Sequence, residues 1–99
     1  MTIKLINRDT EGELLLEGRL DATTSPEAEE LILQVVQRFD KLTLNMNQLQ
    51  YISSAGLRVL KKTYMAMAKK NGTMELSHVN KMVMEVLEMT GFSGLFRIV

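Results

Sequence analysis

The chain has 99 residues, with 12 Lys and Arg, 12 Asp and Glu and no cysteine. A balanced charge excludes the broad basic field typical of proteins that bind nucleic acid, and the lack of cysteine excludes disulfides and sulfur-ligated metal sites. No run approaches the roughly 18 apolar residues that a membrane span needs. We therefore expect one cytoplasmic domain over residues 1–99 that binds no nucleic acid and inserts into no membrane.

The first half of the chain predicts a β-hairpin followed by a helix. In TIKLINR, Ile3 and Leu5 alternate with polar residues, and ELLLEG follows the turn signal DTEG. The segment RLDATTSPEAEELILQVVQRF has helical periodicity, with Ser25 expected as the cap and Pro26 at the first helical position. Its apolar positions are Ala28, Leu31, Ile32, Val35, Val36 and Phe39.

The second half predicts two more helices between strands. KLTLNMNQL alternates as a strand does, and a helix opens in SSAGLRVL and ends at the NG pair. TMELSHV predicts a strand, KMVMEVLEMTG a helix between Asn80 and Gly91, and LFRIV a last strand. The order β-β-α-β-α-β-α-β predicts a single-domain α/β fold, with a mostly parallel sheet and an N-terminal edge strand.

Three loops follow strands and are expected to meet at one edge of this sheet, where open α/β folds bind ligands and partners. They are GRLDATTS (18–25), NQLQYISSAG (47–56) and SHVN (77–80). The polar residues brought together would be Asp21, Thr23, Thr24, Ser53, Ser54, His78 and Asn80.

The stretch YISSAGLRVL raises the question of why a helix begins with two serines and a glycine. A serine before a helix commonly does no more than cap it, accepting a first-turn N–H. Gly56 is harder to explain, since glycine inside a helix is less favourable than alanine by roughly 1 kcal/mol. Close approach of another backbone or of a partner would account for it.

The same stretch resembles the central signature of the sulfate transporter and anti-sigma factor antagonist (STAS) family. In that family a loop of the form Asp-Ser-Ser/Ala-Gly-Leu opens a helix, and its first serine is phosphorylated by a cognate kinase. GRLDATTS is similar to the family's Gly-x-Leu-Asp segment, and MVMEVLEMTGFSGLF to its closing helix and turn. The resemblance extends over essentially the whole chain, and it implies a STAS-like fold.

The family motif places its small residue at Ala55 and its phosphorylated serine at Ser54 of this chain. The aspartate before that serine is replaced by Ser53, which becomes a second candidate for phosphorylation. The resemblance implies an anti-sigma factor antagonist, which binds an anti-sigma factor that is also its serine kinase and so releases a sigma factor. A phosphatase would reverse the modification. The expected partner-binding residues are Asp21, Thr24, Ser53, Ser54, Gly56 and Arg58.

Two other functions compete with this one. A nominal catalytic triad of Ser54, His78 and Asp21 is disfavoured because Ile52 replaces the first glycine of a G-x-S-x-G elbow. His78 is the only histidine, so no multi-histidine metal site is available. We expect no catalytic residue, no metal and no cofactor. The second alternative is a STAS subunit docked on a membrane transporter or a stressosome-like assembly, with Ser54 only a helix cap or a contact.

Overall fold

Six strands and three helices form the domain, and the computed structural model describes all residues from 1 to 99. The strands are β1 (Thr2–Arg8), β2 (Glu11–Leu20), β3 (Lys41–Asn45), β4 (Leu49–Ile52), β5 (Thr73–Ser77) and β6 (Arg97–Ile98). The helices are α1 (Ser25–Val36), α2 (Ser54–Lys69) and α3 (Lys81–Thr90), and a short 3₁₀ turn covers Phe92–Gly94. None of the helices combines the length and the apolar character needed to cross a membrane.

The sheet has the predicted mixed topology. Its order is β1-β2-β3-β5-β6, and only the pairing of β1 with β2 is antiparallel. The hairpin made by β1 and β2 places β1 at the edge, while helices connect most of the parallel strands, as crossover connections require. The α/β class, the mostly parallel sheet and the N-terminal edge strand are therefore confirmed.

Strand β4 lies inside the segment 47–56 that was predicted to be a loop, so that part of the prediction is wrong. It forms because β2 is ten residues long and extends beyond the five residues that pair with β3. The last residues of β2 pair instead with β4, with a register shift between Gly18 and Arg19. At its end Leu20 pairs with Ile52, which brings the residues following each strand together.

One face of the sheet carries the core, and the other is polar. Along β2, Leu14, Leu16 and Leu20 are at most 1% exposed and join a cluster that includes residues of all three helices. The opposite face carries charged side chains in ion pairs, such as Arg8 and Glu13 at 2.9 Å. The alternation of β2 therefore places the helices on one side and leaves a charged surface on the other.

The predicted ends of α3 are confirmed, whereas the predicted start of α1 is wrong. The Asn80 side chain accepts a hydrogen bond from the Val83 N–H at 2.9 Å, and Gly91 ends α3 with a left-handed φ of 81°. In α1 the cap position belongs to Thr24, and Ser25 is the first helical residue. Thr24 makes no cap bond; its Oγ1 instead accepts a hydrogen bond from the Asp21 N–H at 3.0 Å and donates one to the Arg19 carbonyl at 2.7 Å.

Candidate functional site

Ser53 is the residue that caps α2. Its backbone is extended, and its Oγ accepts a hydrogen bond from the Gly56 N–H at 3.3 Å. Its own N–H donates to the Leu20 carbonyl at 3.0 Å, and its carbonyl accepts from Leu57, closing the first turn of the helix. The capping role that the sequence left open for Ser54 therefore belongs to Ser53.

Ser54 is the first residue of α2 and lies exposed on the surface. Its hydroxyl takes no part in the cap. The N–H groups of Ser54 and Ala55 precede the first intrahelical bond, so they have no partner within the helix. An anion attached to Ser54 would meet these donors and the positive end of the helix dipole.

Gly56 is required by close packing of α2 against the end of β2. A Cβ at this position would lie 2.6 Å from the Leu20 carbonyl oxygen and 2.8 Å from Cγ1 of Ile52. Contacts that short are not tolerated between a side chain and a backbone oxygen. The close approach of another backbone, expected from the sequence, is therefore the reason for glycine here.

Asp21 organises the loop that adjoins Ser53. Its Oδ1 accepts hydrogen bonds from the Thr23 and Thr24 N–H groups at 3.0 and 3.1 Å. The Thr24 N–H, then the Thr23 N–H, the Thr24 hydroxyl and the Arg19 charge hold the pKa of Asp21 below its ordinary value. Asp21 is thus a fixed carboxylate directly after the end of β2, and its contact with a partner stays a prediction.

Arg19 and Tyr51 extend this charged region across β2 and β4. The Arg19 Nε lies 3.6 Å from Oδ2 of Asp21, and its Cζ lies 4.2 Å from the centre of the Tyr51 ring. The sequence did not single out either residue. Their contact depends on β4 pairing with β2, where Arg19 and Tyr51 are register partners.

Thr24 has a supporting position in the loop. Its Oγ1 accepts a hydrogen bond from the Asp21 N–H at 3.0 Å while donating to the Arg19 carbonyl. Thr24 also lines a small pocket with Met1 and Leu31, and this pocket does not include Ser54 or its neighbours in α2. The hydroxyl is thus engaged within the loop, and direct contact of Thr24 with a partner stays a prediction.

The basic residues of α2, and Lys70 directly after it, have distinct environments. Lys62 pairs with Glu29 of α1 at 3.0 Å, and Lys70 donates from Nζ to the Val36 and Phe39 carbonyls near the end of α1. The amino groups of Lys62 and Lys70 are therefore engaged by residues in or just after α1. Arg58 is exposed one helical turn after Ser54 and makes none of the ion pairs of the structure.

The third predicted loop lies away from the serines. The Asn80 side-chain amide donates to the Leu49 carbonyl at 2.7 Å, at the start of β4, whereas Ser53 follows its end. The four residues of β4 separate the Asn80 contact from Ser53 by about 10–13 Å. His78 lines a different groove, on the polar face of the sheet with Glu13 and Glu75. The prediction that His78 and Asn80 adjoin the serines is therefore wrong.

Comparison with known proteins agrees with this architecture. Residues 4–99 match the sequence model of the STAS domain. BtrV of Bordetella bronchiseptica, provisionally named an anti-sigma factor antagonist, is 32% identical over 97 residues, which cover 95% of this chain and 84% of BtrV. An anti-sigma F factor antagonist of Paenibacillus polymyxa is 34% identical over 85 residues, covering 84% and 70% of the two chains.

The fold also matches a solved structure of phosphorylated SpoIIAA, a Bacillus cell fate determinant. The TM-score is 0.76 at 14% identity, and the match covers 99% of this chain and 91% of SpoIIAA. Identity this low supports the fold alone, whereas the sequence match extends from β1 to the C-terminus. Together with the Ser53 to Gly56 turn packed on the end of β2, that match shows that the chain belongs to the STAS domain family.

Proposed function

We propose that this protein is a phosphorylation-controlled anti-sigma factor antagonist, with Ser54 as the modified residue. The proposal rests on the different positions of the two serines. Ser53 caps α2, whereas Ser54 is exposed and its hydroxyl is free to react. Unmodified, the protein would bind an anti-sigma factor that is also a serine kinase, and so release a sigma factor in the cytoplasm. A phosphatase would restore the unmodified form.

Local chemistry supports phosphorylation at this position. A phosphate on Ser54 would add a charge of about −1.5 to −2 at the start of α2, where unpaired N–H groups and the helix dipole stabilise an anion. Replacement of the family's aspartate by Ser53 does not weaken the turn, because serine and aspartate cap helices about equally well. The modification would therefore change the surface without unfolding the helix.

The relatives support the same function. Two sequence relatives carry the name of anti-sigma factor antagonist, and SpoIIAA has been solved in both its unphosphorylated and phosphorylated forms. The alternative function, docking on a transporter or a stressosome-like assembly, would leave Ser54 unmodified. Phosphorylation on incubation with the cognate kinase would support the first function. Binding to a membrane fraction that contains a candidate transporter, without phosphorylation, would support the second.

We expect the kinase to modify Ser54 and not Ser53. Ser53 is partly buried, and its hydroxyl is held by the Gly56 N–H, whereas Ser54 is exposed. Peptide mapping after incubation with kinase and ATP locates the phosphate. Ser53→Asn is the matched control, because asparagine preserves the cap while removing the hydroxyl. Phosphate that persists in Ser54→Ala and disappears in Ser53→Asn would contradict the assignment.

Reversing the charge of Arg58 is expected to weaken binding to the anti-sigma factor by at least about tenfold, or about 1.4 kcal/mol. Arg58 lies one turn from Ser54 and is the exposed cation nearest to it along the helix. A binding titration of Arg58→Glu against wild type measures the effect.

Lys4→Gln and Lys69→Glu are the controls for Arg58→Glu. Lys4 lies on the edge strand and pairs with Glu17 at 3.4 Å, while Lys69 lies at the far end of α2. We expect both to bind within about twofold of wild type, since exposed pairs contribute about 0–1 kcal/mol. Equal losses at all three positions would indicate long-range charge effects and not a defined surface at Arg58.

A further inference from the structure

Strand β1 forms a long open edge of the sheet. It has seven residues and pairs with β2 on one side, whereas no strand lies on its other side. The opposite edge strand, β6, has only two residues. An edge strand as long as β1 presents a row of unpaired backbone N–H and C=O groups, which is a template for pairing with another strand.

The hairpin determines which backbone groups of β1 point outward. Its loop has two residues, so Arg8 and Glu11, which close the loop, form a hydrogen-bonded pair. Every second residue before Arg8 therefore also bonds to β2. The residues between them, Ile3, Leu5 and Asn7, direct their N–H and C=O groups away from β2, towards the open edge.

The cations of β1 do not protect this edge. Exposed charges, lysine above all, commonly prevent edge strands from pairing with each other. In β1 the Lys4 Nζ lies 3.4 Å from Oε1 of Glu17, and the Arg8 guanidinium lies 2.9 Å from Oε1 of Glu13. Both cations are thus paired with carboxylates of β2, so a second strand that approaches the edge meets little net charge.

A second copy of β1 fits this edge in one antiparallel register. When Leu5 lies opposite Leu5 of the other copy, all seven residues of the strand overlap. The other facing pairs are Thr2 with Arg8, Ile3 with Asn7 and Lys4 with Ile6. No like charges face each other in this register. Shifting it by two residues places Lys4 opposite Lys4 or opposite Arg8, which is unfavourable. Shifting it by one residue places side chains of the core face opposite those of the polar face.

The same register buries apolar surface on the helix side of the sheet. Ile3 and Leu5 are half-buried and pack against the core, and Leu31 of α1 lies beside Ile3 with 41% of its surface exposed. Opposite residues of an antiparallel pair have Cβ atoms about 4.5–5.5 Å apart. The Leu5 side chains of two copies would therefore contact each other at the two-fold axis.

We infer that the protein forms a symmetric homodimer by antiparallel pairing of β1 with β1 of a second copy, which joins the two six-stranded sheets into one. The interface is isologous, because each copy contributes the same strand. Pairing of seven residues buries less than the roughly 800 Å² per partner of a standard interface, so the dimer is weak, with a Kd of about 10 µM to 1 mM. The inference does not depend on the function proposed for Ser54.

Concentration-dependent measurements on the full chain test the dimer. Sedimentation velocity between about 10 µM and 1 mM, the range of the expected Kd, should show a reversible change from monomer to dimer. Amide hydrogen exchange followed by NMR then identifies the surface. Over the same range the amides of Ile3, Leu5 and Asn7 should exchange more slowly by about twofold or more, whereas those of Lys4 and Ile6, already bonded to β2, should change little.

Opposite charges at position 2 test the register. Thr2 is exposed, lies opposite Glu17 within the hairpin and would face Arg8 of the second copy. Thr2→Lys should therefore raise the dimer Kd by about threefold or more, and Thr2→Glu should lower it by about threefold, because like charges on facing residues repel and opposite charges attract. Folding of the monomer should respond with the opposite sign, since lysine attracts Glu17 and glutamate repels it. Thermal unfolding at a concentration where the monomer dominates measures that response.

Thr73→Lys and Thr73→Glu are the matched controls, because Thr73 is also exposed but lies on β5, three positions away from β1 in the sheet. Both should change the dimer Kd by less than about twofold, as exposed charges usually do. A chain that stays monomeric at about 1 mM, a dimer without slower exchange at Leu5, or equal effects at Thr2 and Thr73 would overturn the inference. A partner protein that protects the same amides while the chain alone is monomeric would assign the edge to that partner and would also overturn it.

Discussion

Replacing Gly56 by alanine is expected to lower the free energy of unfolding by about 1–3 kcal/mol, the usual result of adding a methyl group to a packed site. The new Cβ would lie 2.6 Å from the Leu20 carbonyl oxygen, a backbone atom at the end of β2 that cannot turn aside. Each kcal/mol shifts the melting temperature of a domain this size by about 4–8 °C. Thermal unfolding followed by circular dichroism measures the change.

Gly94→Ala is the matched control for the packing at Gly56. A Cβ at Gly94 would meet no atom within 4 Å, and its φ is not in the left-handed region. The control should melt at or slightly above the wild-type temperature, because alanine restricts the unfolded chain more than glycine does. If Gly56→Ala has the same melting temperature as Gly94→Ala, the contact with β2 is not the reason that glycine is required.

The helices could be predicted because their signals are local. Asn80 and Gly91 delimit α3 as expected, since a cap bond and a left-handed C-terminal residue depend on a few neighbouring residues. The start of α1 depends on contacts outside the helix. Thr24 occupies the cap position, but its Oγ1 accepts from the Asp21 N–H and donates to the Arg19 carbonyl, and no pattern around Ser25 indicates these bonds.

Strand β4 could not be predicted because its sequence lacks the period of a strand. The side chains of LQYI are buried only at Leu49 and Ile52, the two ends, so they do not alternate. The segment becomes a strand through its partner, since β2 extends beyond β3 and offers free backbone groups. Pairing between distant segments is a tertiary effect, which weakens sequence-based prediction of short strands.

The candidate site could be predicted only in outline. Parallel topology correctly placed the residues after β2 beside the start of α2, because the Ser53 N–H donates to the Leu20 carbonyl. That contact also decides which serine caps the helix, so the sequence could not assign the cap. The pairing of Lys62 with Glu29 of α1 depends on how the two helices pack, and no local pattern in the sequence indicates it.

Replacing Ser54 by aspartate is expected to separate stability from partner binding. Ser54 occupies the first position of α2, not the cap, so the Ser53 cap bond is retained. A negative charge in the first turn gains about 0.3–1 kcal/mol from the helix dipole, which leaves the melting temperature unchanged or slightly raised. Thermal unfolding of the variant and of wild type checks this half of the prediction.

Affinity of Ser54→Asp for the anti-sigma factor should fall by at least about tenfold, or about 1.4 kcal/mol. The carboxylate would lie in the contact surface, where an unmatched charge commonly costs about 2–5 kcal/mol, and one turn from Arg58, which it would partly neutralise. Ser54→Asn controls for size, and Ser53→Asp places the same charge in the cap, where the Gly56 N–H can bind it. Both controls should bind within about threefold of wild type, since neither puts an unpaired charge into the surface. A well-folded Ser54→Asp protein that binds as tightly as its controls would show that charge at this serine does not regulate the interaction.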